Sequence, residues 1–236
     1  MREMSDIRNI VILTGAGISA ESGIDTFREK GGLWENYPIE DVATPEAFER
    51  NPDLVHHFYD QRRKALLSVK PNKAHQSLGC LDRAWDGNLL IVTQNVDDLH
   101  ERGGARRIIH MHGELKKALC LSCGMRSLME GALAHRPPCP VCKASTLRPD
   151  VVWFGEVPYK MDKIYQALAR ADLFVSIGTS GAVYPAAGLV QEARTLGIQT
   201  LELNLQKSDG SHWFDSSRLG RATDLVPDWV SEVLRD

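Results

Sequence analysis

Two Cys-x-x-Cys knuckles, Cys120-Leu-Ser-Cys123 and Cys139-Pro-Val-Cys142, stand 15 residues apart and constrain this chain more than any other feature. The arrangement matches the spacing of a four-thiolate zinc site. A tetrahedral ion held by Cys120, Cys123, Cys139 and Cys142 keeps no open position for a substrate or an activated water. Its role is to pin a segment with little core of its own, so the chemistry has to lie elsewhere in the chain. Four thiolates on one Zn²⁺ leave a local charge of roughly −2, which the nearby Lys116, Lys117, Arg126 and Lys143 are expected to offset in part. Two separate redox motifs are the weaker reading, because neither knuckle follows a strand and opens a helix.

With 236 residues and 43% hydrophobic content, the chain can bury one large core plus a satellite. A net charge of −3 gives no global attraction to nucleic acid or to a membrane surface, and direct nucleic-acid binding is not expected. The first apolar run begins at Asn9, which leaves no room for a signal peptide, and no run approaches the length of a membrane span. The expectation is a soluble cytoplasmic protein. The fifth cysteine, Cys80, reads as a small core residue in a reducing compartment.

The segment 9–23 is a continuous apolar run ending in Gly15-Ala-Gly-Ile-Ser-Ala20, the pattern of a buried parallel strand feeding a helix. Gly15 permits a tight turn, Gly17 admits a close backbone approach to a pyrophosphate, and the helix start supplies N–H donors. The fingerprint is irregular, since residues 24–40 carry Gly31-Gly32, Trp34, Tyr37 and Pro38 where a second strand and an acidic ribose ligand are usual. That stretch reads as a loop folded over a ligand. Further apolar strands are expected over 89–93, 107–112, 172–178 and 199–203, each ending in polar or glycine residues. Helices are expected over 45–68, 73–85, 160–170, 184–196 and 227–235. The fold class is therefore α/β, a Rossmann-type doubly wound parallel sheet with a small discontinuous zinc-containing domain. The expected boundaries are 1–30, 71–115 and 150–236 for the Rossmann-type part. Residues 31–70 and 116–149 would form the small domain, a helical insert plus the zinc module.

Gly15 to Gly23 with Thr26-Phe27-Arg28, Gln94-Asn95-x-Asp97, His112-Gly113, the two knuckles, Val151-Val-Trp-Phe-Gly155 and Gly178-Thr-Ser180 together resemble the sirtuins, the NAD-dependent protein lysine deacylases. The resemblance spans nearly the whole chain and keeps the family's motif order. Asp25 stands where many members have proline, and Val96 where isoleucine is usual. With little chain before the first strand or after the last helix, the sequence resembles a minimal bacterial-type core.

The resemblance implies two co-reactants, NAD⁺ and the acylated lysine side chains of proteins, together with one structural Zn²⁺. In that chemistry the acyl oxygen attacks C1′ of the nicotinamide ribose, and a histidine base then deprotonates the ribose. His112 matches the base, and an imidazole titrating near ~6.5 suits that proton relay. Gln94 and Asn95 would address the ribose and a bound water, Asp97 the carboxamide, with Val96 beside them. Ala16, Ser19, Ala20, Thr26, Phe27, Arg28 and Trp34 would line the pyrophosphate and the cofactor loop. Gly178, Thr179, Ser180, Asn204 and Ala222 would hold the adenosine half. Asp98 reads as a helix cap and His110 as a supporting residue. Val152, Phe154 and Gly155 fall in a β-prone run expected to offer an unpaired edge to an extended peptide.

Tyr59 and Arg62 lie three apart on an expected helix and so share a face. Arg62 offers a planar fork to a carboxylate and Tyr59 a phenolic donor. Family members that remove succinyl and malonyl groups carry this Tyr-x-x-Arg pair, and Ala43 matches the position that gives them room for a longer acyl chain. The implied activity is removal of acetyl and also succinyl or malonyl groups. A mono-ADP-ribosyltransferase or NAD hydrolase would use the same cofactor site and is the alternative.

Overall fold

The computed structural model describes residues 6–24 and 37–235. Strand β1 (Asn9–Thr14) is apolar on both faces: Ile10 and Ile12 are buried on one side, Val11 and Leu13 on the other. A strand with two apolar faces needs a cover on each. One cover is α5 (Lys73–Ala84) and α9 (Ala222–Val233), whose Leu78, Leu81, Trp229 and Val230 pack against Ile10, Ile12 and Ile91. The other is α7 (Met161–Leu168) and α8 (Leu189–Thr195), whose Ile164, Leu168 and Leu189 pack against Val11, Leu13 and Phe174. Each fully buried side chain of this size contributes about 1.5–3 kcal/mol.

The other strands are β2 (Asn88–Thr93), β3 (Ile108–His110), β4 (Gly113–Cys120), β5 (Arg126–Leu128), β6 (Leu147–Val151), β7 (Leu173–Ile177), β8 (Gln199–Asn204) and β9 (Ser216–Leu219). The large sheet runs β3-β2-β1-β7-β8-β9 with every described pairing parallel. The chain winds outward from β1 through β2 to β3, then restarts at β7 on the other side of β1. Strand order reverses between β1 and β7, and the carboxyl ends there form the crevice in which doubly wound sheets bind ligands. Two short helices follow strands of the large sheet, α1 (Gly17–Ala20) after β1 and α6 (Leu99–Arg102) after β2. A second, antiparallel sheet has the order β5-β4-β6. It packs Leu115 and Val151 against the helices α2 (Ile39–Val42), α3 (Pro45–Arg50) and α4 (Pro52–Ala65), which contribute Val42, Ala47, Val55 and Phe58.

Several elements differ from the sequence expectations. The helix expected over 45–68 is two: Asn51 accepts from Leu54 N and Pro52 opens a new helix, so the pair is a stop and a start. The last helix begins at Ala222 rather than 227, with Pro227 inside it. Its first turn is held by Glu21, which accepts from Thr223 N at 3.0 Å and Oγ1 at 2.8 Å. The strand expected over 107–112 ends at His110, so His112 sits in the turn before β4 and does not share a strand face with His110. Gly113, at φ 83°, makes that turn, where a Cβ would lie 2.1 Å from Asp150 O. Cys80 is exposed on α5, not in the core, with Arg83 Nη2 donating to its sulfur at 3.2 Å.

Candidate functional site

Gly15 N donates to Ile177 O at 3.0 Å and Gly17 N to Gly178 O at 2.8 Å, which draws the turn after β1 onto the turn after β7. A Cβ at Gly15 or Gly17 would stand 2.7 or 2.8 Å from the Gly178 backbone. The glycines are thus required first by contact between these two turns. Above them opens a cleft of about 870 Å³. Gly15, Ala16, Gly17, Ala20, Gly178, Thr179, Ser180, Asn204 and Ala222 line one end, Gln94, Asn95, Val96 and His112 the middle, and Ala43, Tyr59, Arg62, Val152, Phe154 and Gly155 the other end. Ser19 and Asp97 line instead an adjoining cavity of about 140 Å³, shared with Asn95, Val96, Leu115 and Arg62. Thr26, Phe27, Arg28 and Trp34 lie outside the described residues.

His112 Nδ1 is 3.2 Å from Gln94 O. A carbonyl only accepts, so Nδ1 carries the proton and Nε2 keeps a basic lone pair. Burial lowers the His112 pKa below its ordinary 6.5 despite that bond, so the neutral, basic form prevails at neutral pH. His110 stands behind the site: its Nδ1 is 3.0 Å from Asn95 O and its Nε2 2.7 Å from Glu101 Oε1. Burial opposes its charged form, but the Glu101 carboxylate prevails and raises its pKa.

The smaller cavity is built on a buried polar network. Asn95 Nδ2 donates to Ser19 Oγ at 3.1 Å, Ser19 Oγ donates to Asp97 Oδ2 at 3.0 Å, and His75 Nε2 lies 3.3 Å from the same hydroxyl. Burial raises the Asp97 pKa, opposed by donors at Leu99 N and Ser19. Burial also drives His75 down to about 4, so it is a neutral support under Ser19. His75 carried no signal in the sequence, because its partner is 56 residues away. Asp97, not Asp98, accepts from Leu99 N, while Asp98 pairs with Arg102 and Lys116. The helix cap expected at Asp98 is therefore made by its neighbour.

At the far end Tyr59 is buried, with its pKa pushed up to about 12 by that burial against the opposing charge of Arg62. Trp153 Nε1 donates to its oxygen at 3.1 Å, leaving the phenolic proton to donate. Arg62 lies one helical turn on, its guanidinium 5.5 Å from the Phe58 ring centre. The run 151–155 differs from the free edge expected of it. Val152 N donates to His112 O, Trp153 N to Glu156 Oε2 and Phe154 N to Ala43 O, so three amide donors are already used.

Away from the cleft, Cys120 Sγ lies 3.6 Å from Cys142 Sγ, and Cys123 Sγ 3.8 Å from Cys139 Sγ. Zn–S bonds of 2.3 Å in a tetrahedron place sulfurs about 3.8 Å apart, so the donor set fits Zn²⁺. The cations expected to offset the thiolates are placed otherwise: Lys116, Lys117 and Arg126 pair with Asp98, Glu114 and Asp150, and Lys143 Nζ donates to Pro140 O at 2.9 Å.

The Sir2 family profile matches residues 15–185. The chain belongs to the Sir2 family. An "NAD-dependent protein deacylase" of Vibrio cholerae is 54% identical over 230 residues, covering 96% of this chain and 94% of that protein. A solved "Sir2 homolog–NAD complex" superposes with a TM-score of 0.90 at 39% identity, covering 98% of this chain and 91% of that one. A "Sir2–p53 peptide–NAD+" structure superposes at 0.83 with 27% identity over 97% and 95% of the two chains. The cleft of this Sir2 chain suits a dinucleotide by its own features, a volume near the upper end of ligand sites and a neutral histidine in its lining, and the adjoining cavity adds the buried Asp97 carboxylate, able to accept from an amide. It also includes residues the sequence did not single out, among them Leu205, Gln206, Lys207 and Arg221.

Proposed function

We propose that this protein is an NAD-dependent deacylase of protein lysine side chains, yielding free lysine, nicotinamide and an O-acyl-ADP-ribose. One observation carries the reading: a neutral His112 lies midway along a continuous cleft between a Rossmann-type rim and the Ala43–Tyr59–Arg62 end. NAD⁺ supplies the electrophilic ribose carbon. The chain's own residues do the rest. Asp97 would accept from an amide, Asn95, held by Ser19, would face the ribose, and His112 Nε2 would take a ribose proton because Gln94 O holds the proton on Nδ1 and leaves Nε2 basic. Gly178, Thr179, Ser180, Asn204 and Ala222 hold the adenosine half, while Val152, Phe154 and Gly155 flank the acyl-lysine. The four cysteines bind one structural Zn²⁺. No described helix is long and apolar enough to cross a membrane, and the protein is taken to act in the cytoplasm on other proteins.

The test is nicotinamide release from NAD⁺ with peptides differing only in the lysine, read by mass spectrometry. Release that requires acyl-lysine supports deacylation. Equal release without it would favour the NAD hydrolase or ADP-ribosyltransferase alternative.

The acyl group follows from Arg62 and Tyr59. Tyr59 is neutral and has a donor to give, and Arg62 supplies charge beside it, so a terminal acyl carboxylate gains one ordinary and one charge-assisted bond. We infer that succinyl and malonyl groups are removed as well as acetyl. Losing the charged contact costs about 1.5–3 kcal/mol, so Arg62→Met should lower kcat/KM for succinyl-lysine by about 10- to 100-fold while sparing deacetylation. Equal loss of both activities, or no turnover of succinyl-lysine by the unaltered enzyme, would refute the acyl assignment.

A further inference from the structure

Glu202 is a buried carboxylate that the chemistry above does not use. It lies on β8 two residues before Asn204 and is 1% exposed. Its hydrogen-bond partners are neutral donors: Ser208 N at 3.3 Å and the Ser208 hydroxyl on Oε1, Ser211 Oγ at 2.6 Å and Ser217 Oγ at 2.8 Å on Oε2. Burying a charge is costly unless it is fully hydrogen-bonded, and bonds to a carboxylate are stronger than neutral ones. A side chain kept under those terms fixes whatever its donors belong to.

Three of those four donors, two from Ser208 and one from Ser211, sit in the loop between β8 and β9, whose residues 205–209 line the larger cleft beside Asn204. The same loop is fastened to the turn after β7, where Asp209 N donates to Ser180 O at 3.0 Å. Asn204 Nδ2 donates to Thr179 O at 2.8 Å, joining the two strand ends directly. Ser217 is different, since it lies on β9 itself. Glu202 therefore anchors one wall of the cleft from beneath.

We infer that Glu202 is a positioning residue for the adenosine end of the NAD⁺ site: its carboxylate fixes the 205–211 loop against the 178–180 turn, and so sets affinity for the dinucleotide without taking part in the chemistry. The inference rests on the NAD-dependent reading above and adds a residue to that site. The experiment is calorimetric binding of ADP-ribose and NAD⁺ to the full chain, which needs no turnover, with steady-state kinetics and melting curves beside it. Glu202→Gln and Ser211→Ala should weaken ADP-ribose binding by about tenfold and raise KM for NAD⁺ likewise, with kcat at saturating NAD⁺ changed less than about twofold. Ser217→Ala removes a donor but leaves both loop serines, and should lower the melting temperature with Kd within about twofold. Unchanged Kd in Glu202→Gln and Ser211→Ala overturns the inference, as does equal weakening in Ser211→Ala and Ser217→Ala. If Glu202→Gln does not fold, the Ser211→Ala and Ser217→Ala pair decides. Failure of the unaltered protein to bind either ligand would instead overturn the NAD-dependent reading itself.

Discussion

His112→Ala is expected to fold with an unchanged melting curve, bind NAD⁺ normally and lose deacylation by about 10²–10⁴-fold, the usual worth of a general base. The fold should survive because His112 lies in a turn, is only half-buried, and makes one side-chain hydrogen bond among the described residues, to Gln94 O. Its pH profile offers a second check. Burial lowers the His112 pKa below 6.5, so the basic form is present above that lowered value and is lost as pH falls through it. The acid limb of kcat/KM should therefore have its midpoint below 6.5 and be absent in the variant's residual activity. Near-normal turnover by folded His112→Ala, or an acid limb that persists in it, would remove His112 from the role of base.

Five of the six strands of the large sheet were legible because they are short apolar runs that end in glycine or polar residues, such as the one closed by Gly178-Thr-Ser180, whereas the edge strand β9 reads Ser-Ser-Arg-Leu, is exposed throughout and carried no such signal. The small sheet was not. Strand β6 reads Leu-Arg-Pro-Asp-Val, with a proline and two charges in five residues, yet it is buried throughout. Arg148 can be buried because Glu156 accepts two bonds from it at 2.7 and 2.8 Å and its guanidinium stacks 3.6 Å above the Trp153 ring. Asp150 can be buried because Arg126 and Tyr159 donate to it. Those partners appear only once the chain is folded, and no local pattern announces them. The same reason hides His75 and Glu202. Motif residues were easier to place: His112, Asn95, Tyr59 and Arg62 line one cleft, although 53 positions of sequence separate His112 from Tyr59. The helix break at Asn51-Pro52 was readable in principle, since an N-cap residue followed by proline is a start signal, and a continuous apolar period obscured it.

Metal analysis is expected to find one Zn²⁺ per chain, and Cys139→Ala or strong chelation should unfold the zinc module and lower the melting temperature. The apolar cluster around the cysteines is small: Ala118, Leu133 and Leu147 with Met129 beside them, and Cys120 and Cys139 among its fully buried members. Ordering the backbone costs about 1–2 kcal/mol per residue, which a cluster of that size does not offset for the chain between the knuckles. Structural Zn²⁺ contributes about 10–16 kcal/mol to folding in such modules. The damage should reach the active site through β4, which starts at Gly113 beside His112 and ends at Cys120. Between those ends Leu115 N donates to Val96 O at 2.8 Å, and Leu115 O accepts from Arg63 Nε at 2.7 Å. Loosening β4 therefore frees both the Gln94–Asp97 segment and the helix that carries Tyr59 and Arg62. Cys139→Ala should consequently lose activity together with its metal, whereas ADP-ribose binding, which the proposed function assigns to the opposite end of the cleft, should weaken less than turnover. Metal-free protein with full activity and an unchanged melting curve would show that the cysteines hold no structural ion. A loss of ADP-ribose binding as large as the loss of turnover would show that the whole fold depends on the metal, rather than β4 alone.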